Sequence, residues 1–262
     1  MDYLRELEVA KKAAVLAGAA IMEVYGTDDF GVVLKEDKSP LTEADRRANE
    51  IIVGILKAEF PDYAILAEES EDDKTRLEND RCFIVDPLDG TKEFIKRNGQ
   101  FTVNIALAYR QRSVMGVIYV PVTKELYYAA AGFGSFYEAD GSEPAGLRAS
   151  DRTDRIRMVI SASHTHPDEL RIIEKYNITE FVRMGSSLKG CMIAKGEAEV
   201  FYRMNPTMEW DTAAMQCVAE QAGAIFRQAD GTEMLYNREN PLNERGFYIV
   251  NSESNLLTPD NS

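Results

Sequence analysis

A chain of 262 residues with 45% hydrophobic and 28% charged side chains can bury a sizeable core, in one large domain or two closely packed halves. Its net charge of −14 argues against binding long DNA or RNA through a basic surface, and admits a small anionic substrate only where cations reverse the local sign. There is no apolar run of about 18 residues to form a transmembrane helix, and two histidines with three scattered cysteines leave oxygen ligands as the expected holders of any metal.

In chain order, residues 4–25 repeat apolar side chains at helical spacing, with Leu4, Leu7, Val9, Ala13, Leu16 and Ala20 expected near the buried face. The acidic residues near this N-terminus read as a mature helix, not a secretion signal. That places the protein in the cytoplasm, a location compatible with peripheral association at the inner membrane. A polar loop, KEDKSPLTEAD, leads into a second helix, for which Thr42 is the expected N-cap and Asp45 its capping-box partner. Ala48, Ile51, Ile52, Ile55 and Leu56 give that helix an apolar face, and Phe60-Pro61-Asp62 stops it.

YAILAEES reads as a short buried strand running into Glu68 and Glu69, EDDKTRLENDR as a charged mobile loop, and RCFIVDP as the next buried strand. FTVNIALAYRQ, RSVMGVIYVP and KELYYAAAGFGSFYEADG then read as an antiparallel meander, with a tight turn at Gly132 and Gly134. The pattern changes near residues 142–155, and from there strands and helices alternate. The expected organisation is a mixed α+β and α/β chain of two intimately packed halves, residues 1–145 and 146–262. The tail LLTPDNS is expected to fray.

The chemistry concentrates in acidic segments at the edges of these elements. Asp45 opens a helix, Glu68 and Glu69 close a strand, Asp86 and Asp89 close another, and Asp211 opens the helix after Glu209 and Trp210. Each taken alone reads as well as a helix cap, a solvated strand end or a DG turn. Taken together they suggest convergence. Two carboxylates 4 Å apart repel by about 4 kcal/mol at an effective dielectric of 20, so a cluster of them needs cations. Hard oxygen ligands favour Mg²⁺, and two such ions can clamp the attacking and leaving oxygens of a phosphoryl displacement. In DPLDGT, Asp86 and Asp89 can serve two ions, the Leu88 carbonyl can point to the same place, and Gly90 lets a phosphate approach the backbone. Thr91 then opens a short helix whose first N–H groups suit an anion.

The motifs TEAD (42–45), AEES (67–70), VDPLDGT (85–91) and EWDTAA (209–214) together resemble the inositol monophosphatase superfamily of Mg²⁺-dependent phosphatases. The resemblance covers nearly the whole chain and implies a layered αβαβα sandwich with two or three Mg²⁺ ions between its halves. It implies Glu68, Asp86, the Leu88 carbonyl, Asp89 and Asp211 as metal ligands. Thr91 and Asp45 correspond to the pair that orients and deprotonates the attacking water, and Glu69 stands behind Glu68.

KEDKSPLTEADRRA, SASH (161–164) and GSSLK (185–189) look like the bacterial 3′(2′),5′-bisphosphate nucleotidase branch. That branch removes the 3′-phosphate of adenosine 3′,5′-bisphosphate, giving AMP and phosphate. Substrate contacts are then expected from Glu68, Leu88, Asp89, Gly90, Thr91 and Asp211, and from Ser186, Ser187, Lys189 and His164. Plainer readings stand beside these: Ser187 as a helix cap, Lys189 as a solvated side chain, His164 as a loop residue, His166 as incidental, and Trp210 as packing. Arg183, Lys189 and Arg203 are the candidate cations for the distal phosphate, spread over twenty residues. Inositol monophosphate and fructose 1,6-bisphosphate are the competing substrates, and a non-catalytic metal- or nucleotide-binding regulator is the competing class. The family's habit of pairing makes a homodimer compatible.

Overall fold

The computed structural model describes residues 2–34, 40–161 and 166–258. Helix α1 (Leu4–Tyr25) is followed by a small ribbon, β1 (Val33–Leu34) and β2 (Pro40–Leu41), and then by α2 (Glu43–Glu59). A seven-stranded sheet comes next in chain order: β3 (Ala64–Ala67), β4 (Arg81–Asp89), β5 (Thr102–Tyr109), β6 (Arg112–Val120), β7 (Glu125–Ala130), β8 (Gly134–Glu138) and β9 (Ala145–Gly146). The one-turn helix α3 (Thr91–Ile95) interrupts it after β4. Strands β3 and β4 are parallel, and all later neighbours are antiparallel.

The remaining chain alternates: β10 (Arg157–Ser161), α4 (Pro167–Lys175), β11 (Glu180–Met184), α5 (Leu188–Ala194) and β12 (Val200–Arg203). It continues through β13 (Thr207–Met208), α6 (Glu209–Gln221), β14 (Ile225–Gln228), β15 (Leu242–Asn243) and β16 (Phe247–Val250). The second sheet has the order β11-β10-β12-β16-β14, and β13 pairs with β15 beside it.

Side-chain alternation along the strands sorts these elements into layers. On β4 and β5, Phe83, Val85, Val103, Ile105 and Leu107 pack under α1 and α2. Their neighbours Cys82, Ile84, Ala106 and Ala108 face the opposite way, onto α5, α6 and one face of the second sheet. The other face of that sheet, including Met158, Ile160 and Val200, packs against Ile172 of α4. Helix pair, sheet, helix pair, sheet and helix make the αβαβα sandwich. The middle helices lie very close to the first sheet. A Cβ on Gly116 of β6 would stand 2.5 Å from the carbonyl oxygen of Ala214 in α6, so only glycine allows that approach.

The structure departs from the sequence reading in three places. The buried stripe of α1 is Leu7, Ala10, Ala13, Ala14, Ala17, Ile21 and Val24, while Leu16 is 44% exposed and Leu4 also points outward. Small alanines allow α1 to lie closely on α2 and the sheet, which a row of leucines would not. Residues 71–80 are an anchored turn: Arg76, 3% exposed, pairs with Asp72 at 2.9 Å and donates to Asn237 Oδ1 at 2.8 Å. Of the tail, residues 259–262 lie outside the described residues, but before them Leu257 is buried and its N–H donates to the hydroxyl of Tyr202 at 2.6 Å. Cys82, Cys191 and Cys217 are free and buried, and desolvation pushes the Cys82 thiol up to about 12.

Candidate metal and phosphate site

Asp86 and Asp89 are three residues apart, and strict strand alternation would send them to opposite faces. A bulge resolves this. Asp86 pairs with Asn104 and Asp89 with Thr102, so three steps on β4 oppose two on β5. The extra residue turns both carboxylates to the side that faces α5 and α6. Pro87 lies within the bulge, where its missing N–H costs no ladder bond. Asp86 Oδ1 accepts the N–H of Leu88 at 3.0 Å, which fixes the bend. Gly90 follows at φ +92°, a left-handed conformation, and a Cβ there would lie 3.2 Å from the Gln100 carbonyl.

The first turn of α6 brings the third acid. Oxygen atoms of Asp86, Asp89 and Asp211 lie within 4.8 Å of one another. Asp211 Oδ2 accepts the N–H of Met208 at 2.6 Å, so the residue caps its helix and also faces the cluster. Asp45 behaves in the same way at α2: its Oδ2 accepts the N–H of Thr42 at 2.7 Å, while its Oδ1 accepts from Thr91 Oγ at 3.3 Å. Capping and site-building are therefore not alternatives at these two residues. Thr91 Oγ also approaches the Leu88 carbonyl at 3.4 Å.

Glu68 follows β3, with its N–H on the carbonyl of Val85 at 3.1 Å. Its charge stands first among those that raise Asp86, but the group of oxygens within 4.8 Å of one another does not include Glu68.

Burial, and then the charges of Glu68, Asp89, Asp211 and Asp45, hold the Asp86 carboxyl well above the ordinary carboxylate range. Burial and the Asp89 charge likewise push Asp211 up to about 7, against the lowering effect of the Met208 N–H. Three oxygens this close either share protons or share a cation. Among the described residues the donor set is all oxygen, three aspartates with no imidazole or thiolate among them, and so fits a hard divalent ion.

A cavity of about 350 Å³ opens beside the cluster. Asp89, Gly90, Ser186 and Asp211 lie on its wall, and Lys189 and Arg203 supply positive charge. Of the three cations named from sequence, these two converge, while Arg183 is exposed on β11. Desolvation lowers the Lys189 ammonium, Asp89 opposes the shift, and Arg203 adds to it.

Ser187 stands at the N-cap position of α5 without capping it. Its hydroxyl, like that of Ser186, donates to Asp89 Oδ2, at 2.8 and 2.6 Å respectively. Trp210 packs partly buried against the central core. His166 caps α4, its Nδ1 accepting the N–H of Asp168 at 3.2 Å. His164 lies outside the described residues, as does the segment 35–39 of the polar loop.

Sequence reasoning missed Thr102 and Asn104, both fully buried beside Asp89. The available signal was their spacing: two polar residues on one face of an otherwise apolar strand. It also missed Glu209, buried and bonded to the N–H groups of Asn237 and Arg238 at 2.6 and 3.0 Å, which fixes the start of α6.

The layered sandwich and its acidic cluster define a protein that can gather divalent cations at an anion-sized cleft. The chain belongs to the inositol monophosphatase family, whose model matches residues 2–256. It is 41% identical over 250 residues to the 3′(2′),5′-bisphosphate nucleotidase CysQ of Salmonella typhimurium, covering 93% of this chain and 99% of that one. The corresponding Buchnera aphidicola protein is 36% identical over 240 residues, with 88% of each chain covered. Among solved structures, CysQ from Bacteroides thetaiotaomicron superposes with a TM-score of 0.84 at 41% identity, over 95% of this chain and 98% of that one. The extragenic suppressor protein SuhB of Bartonella henselae gives 0.79 at 28% identity, over 95% and 94%. Among the described residues, no helix is long and apolar enough to cross a membrane.

Proposed function

We propose that this chain is a Mg²⁺-dependent phosphatase that hydrolyses the 3′-phosphate of adenosine 3′,5′-bisphosphate to AMP and phosphate. The observation that carries this reading is the junction of three clustered carboxylates with a cavity walled by Lys189 and Arg203. One part offers a place for cations at a reacting phosphate, and the other offers positive charge for a second anionic group. Relatives at 41% identity over nearly the full length carry the nucleotidase name, which favours this substrate over others in the family.

In this reading Glu68, Asp86, the Leu88 carbonyl, Asp89 and Asp211 hold the ions. Residues 1–145 supply all of these but Asp211, and residues 146–262 supply Asp211 and the recognition wall. When bound, Mg²⁺ supplies positive charge to the attacking, equatorial and departing oxygens of the phosphoryl group. Thr91 Oγ donates to Asp45 Oδ1, so the hydroxyl oxygen can accept a proton from an attacking water while its own proton moves to Asp45. Asp45 is held for this role by the Thr42 N–H on its other oxygen. Gly90 and the start of α3 let the reacting phosphate lie against backbone. Lys189 and Arg203 bind the distal phosphate, with Ser186 between them and the cluster.

A phosphate-release panel tests the reading: adenosine 3′,5′-bisphosphate, inositol monophosphate and fructose 1,6-bisphosphate, each with Mg²⁺ titrated from zero. The expected result is Mg²⁺-dependent release with a clear preference for the nucleotide. Preference for either sugar phosphate would overturn the substrate assignment. Tight nucleotide binding without release would overturn catalysis itself and favour a binding regulator.

A further inference from the structure

Thr102 and Asn104 are polar side chains sealed into the face of β5 that otherwise carries Ala106 and Ala108 against the middle helices. Burying such groups is unfavourable unless they are paired, and here the pairing runs in one direction, toward the cluster. Asn104 Nδ2 donates to Ser187 Oγ at 2.8 Å and to Asp89 Oδ2 at 3.3 Å. Thr102 Oγ lies 2.9 Å from Asn104 Oδ1 and 2.6 Å from Ser186 Oγ. The two serines complete the frame on Asp89 Oδ2, and Ser187 Oγ also reaches the backbone carbonyl of Asp211 at 3.3 Å.

Ser186 adopts φ +51°, a left-handed conformation that a non-glycine residue keeps only when its surroundings require it. The turn it belongs to is tied to the first sheet a second time, because Gly185 donates its N–H to Gln100 Oε1 at 2.8 Å. A Cβ on Gly185 would lie 3.0 Å from the Gln100 carbonyl, so the turn is seated against that loop without slack.

We propose that Asn104, braced by Thr102, is a positioning residue that holds Asp89 and the Ser186–Ser187 turn in one frame. Three donors of the frame, Asn104 Nδ2 and the two serine hydroxyls, meet Oδ2 of Asp89, and its Oδ1 takes no bond from the frame. The contact of Ser187 with the Asp211 carbonyl extends the frame to a second clustered acid, carried by a different layer. The same turn borders the cavity, so the geometry of the cations and that of the recognition wall are set by one buried network. The proposal rests on the reading of the cluster as a divalent-cation site.

The test uses the full chain and Mg²⁺ alone, with no substrate, and takes as its midpoint the Mg²⁺ concentration that half-saturates the folded protein in equilibrium dialysis. Thr102→Val keeps the shape of the side chain and removes its hydroxyl. Asn104→Ala removes the bridging amide. Thr102→Ser is the conservative control. Polar partners of metal ligands are worth about 10- to 100-fold in metal affinity. The expected result is a midpoint raised at least about 10-fold in Asn104→Ala, raised severalfold in Thr102→Val, and restored in Thr102→Ser. If Asn104→Ala does not fold, the Thr102 pair decides. A folded Thr102→Val or Asn104→Ala with the wild-type midpoint overturns the positioning role while leaving the cation site intact. A wild type that binds no Mg²⁺ overturns the cation reading, and this proposal with it. Loss of nucleotide hydrolysis in a wild type that still binds Mg²⁺ sinks only the function.

Discussion

Replacing Asp86 by asparagine should stabilise the cation-free protein, which is the opposite of the usual result at a buried, hydrogen-bonded position. Asp86, Asp89 and Asp211 present oxygens within 4.8 Å, so each ionised pair costs at least about 3.5 kcal/mol at an effective dielectric of 20. Asparagine removes the two pairs that involve Asp86, about 7 kcal/mol, together with the repulsion from Glu68 and Asp45. The wild type evades part of this by keeping a proton on Asp86, whose carboxyl sits well above its ordinary range. Keeping that proton at about pH 8 costs about 1.4 kcal/mol for each pH unit above the unfolded value, which caps the gain near 6 kcal/mol. The amide oxygen can still accept the Leu88 N–H, so no local bond is lost.

A gain of about 2–6 kcal/mol corresponds to a Tm some 5–20 °C higher in EDTA for a chain of this size. Mg²⁺ should then narrow the gap. At 100 times its Kd a ligand adds about 2.7 kcal/mol to a protein that binds it, and a variant lacking one ligand gains less. Thermal melts of both proteins at about pH 8, in EDTA and in saturating Mg²⁺, measure all four states. An Asp86→Asn protein that melts no higher than wild type in EDTA, and responds equally to Mg²⁺, would refute the reasoning.

The same electrostatics set a pH dependence. Asp211 is raised to about 7 in the folded protein, so its contribution is fully present below the unfolded value near 3.8 and is lost as pH rises through about 7. The cation-free protein should therefore lose Tm across that window, and Mg²⁺ should flatten the decline; a flat profile in EDTA would contradict the shift. Asp211→Asn should lower turnover at least about 10²-fold, or ~2.7 kcal/mol in barrier, and near-normal turnover in a folded variant would remove Asp211 from the ligand set. Gly116→Val forces a side chain into the Ala214 carbonyl 2.5 Å from its Cβ position, with an expected loss of about 1–3 kcal/mol in urea unfolding; unchanged stability would mean that α6 can move off the sheet at little cost.

Much of this protein was readable one segment at a time. Local patterning was enough for the two N-terminal helices, the antiparallel meander, the later alternation of strands and helices, and the Thr42–Asp45 capping box. The acidic motifs could be named for the same reason: a proline, a glycine and two aspartates in six residues are a local signal. Where each helix turns its face was less legible, because packing distance decides it, and the α1 stripe of alanines won over the bulkier leucines. The charged segment after Glu69 looked loose because its anchor, Asn237, lies 161 residues from Arg76.

The meeting of the carboxylates was settled only by tertiary structure. A bulge on β4 converts a three-residue spacing into a shared side, and α6 delivers Asp211 from more than a hundred residues away. Thr102 and Asn104 had no motif to announce them, since a buried polar residue gains its meaning from the groups packed against it. Sequence determines which side chains can bear charge and where the backbone can turn. Whether those charges come close enough to repel, and so to require an ion, depends on distances that only the folded layers fix.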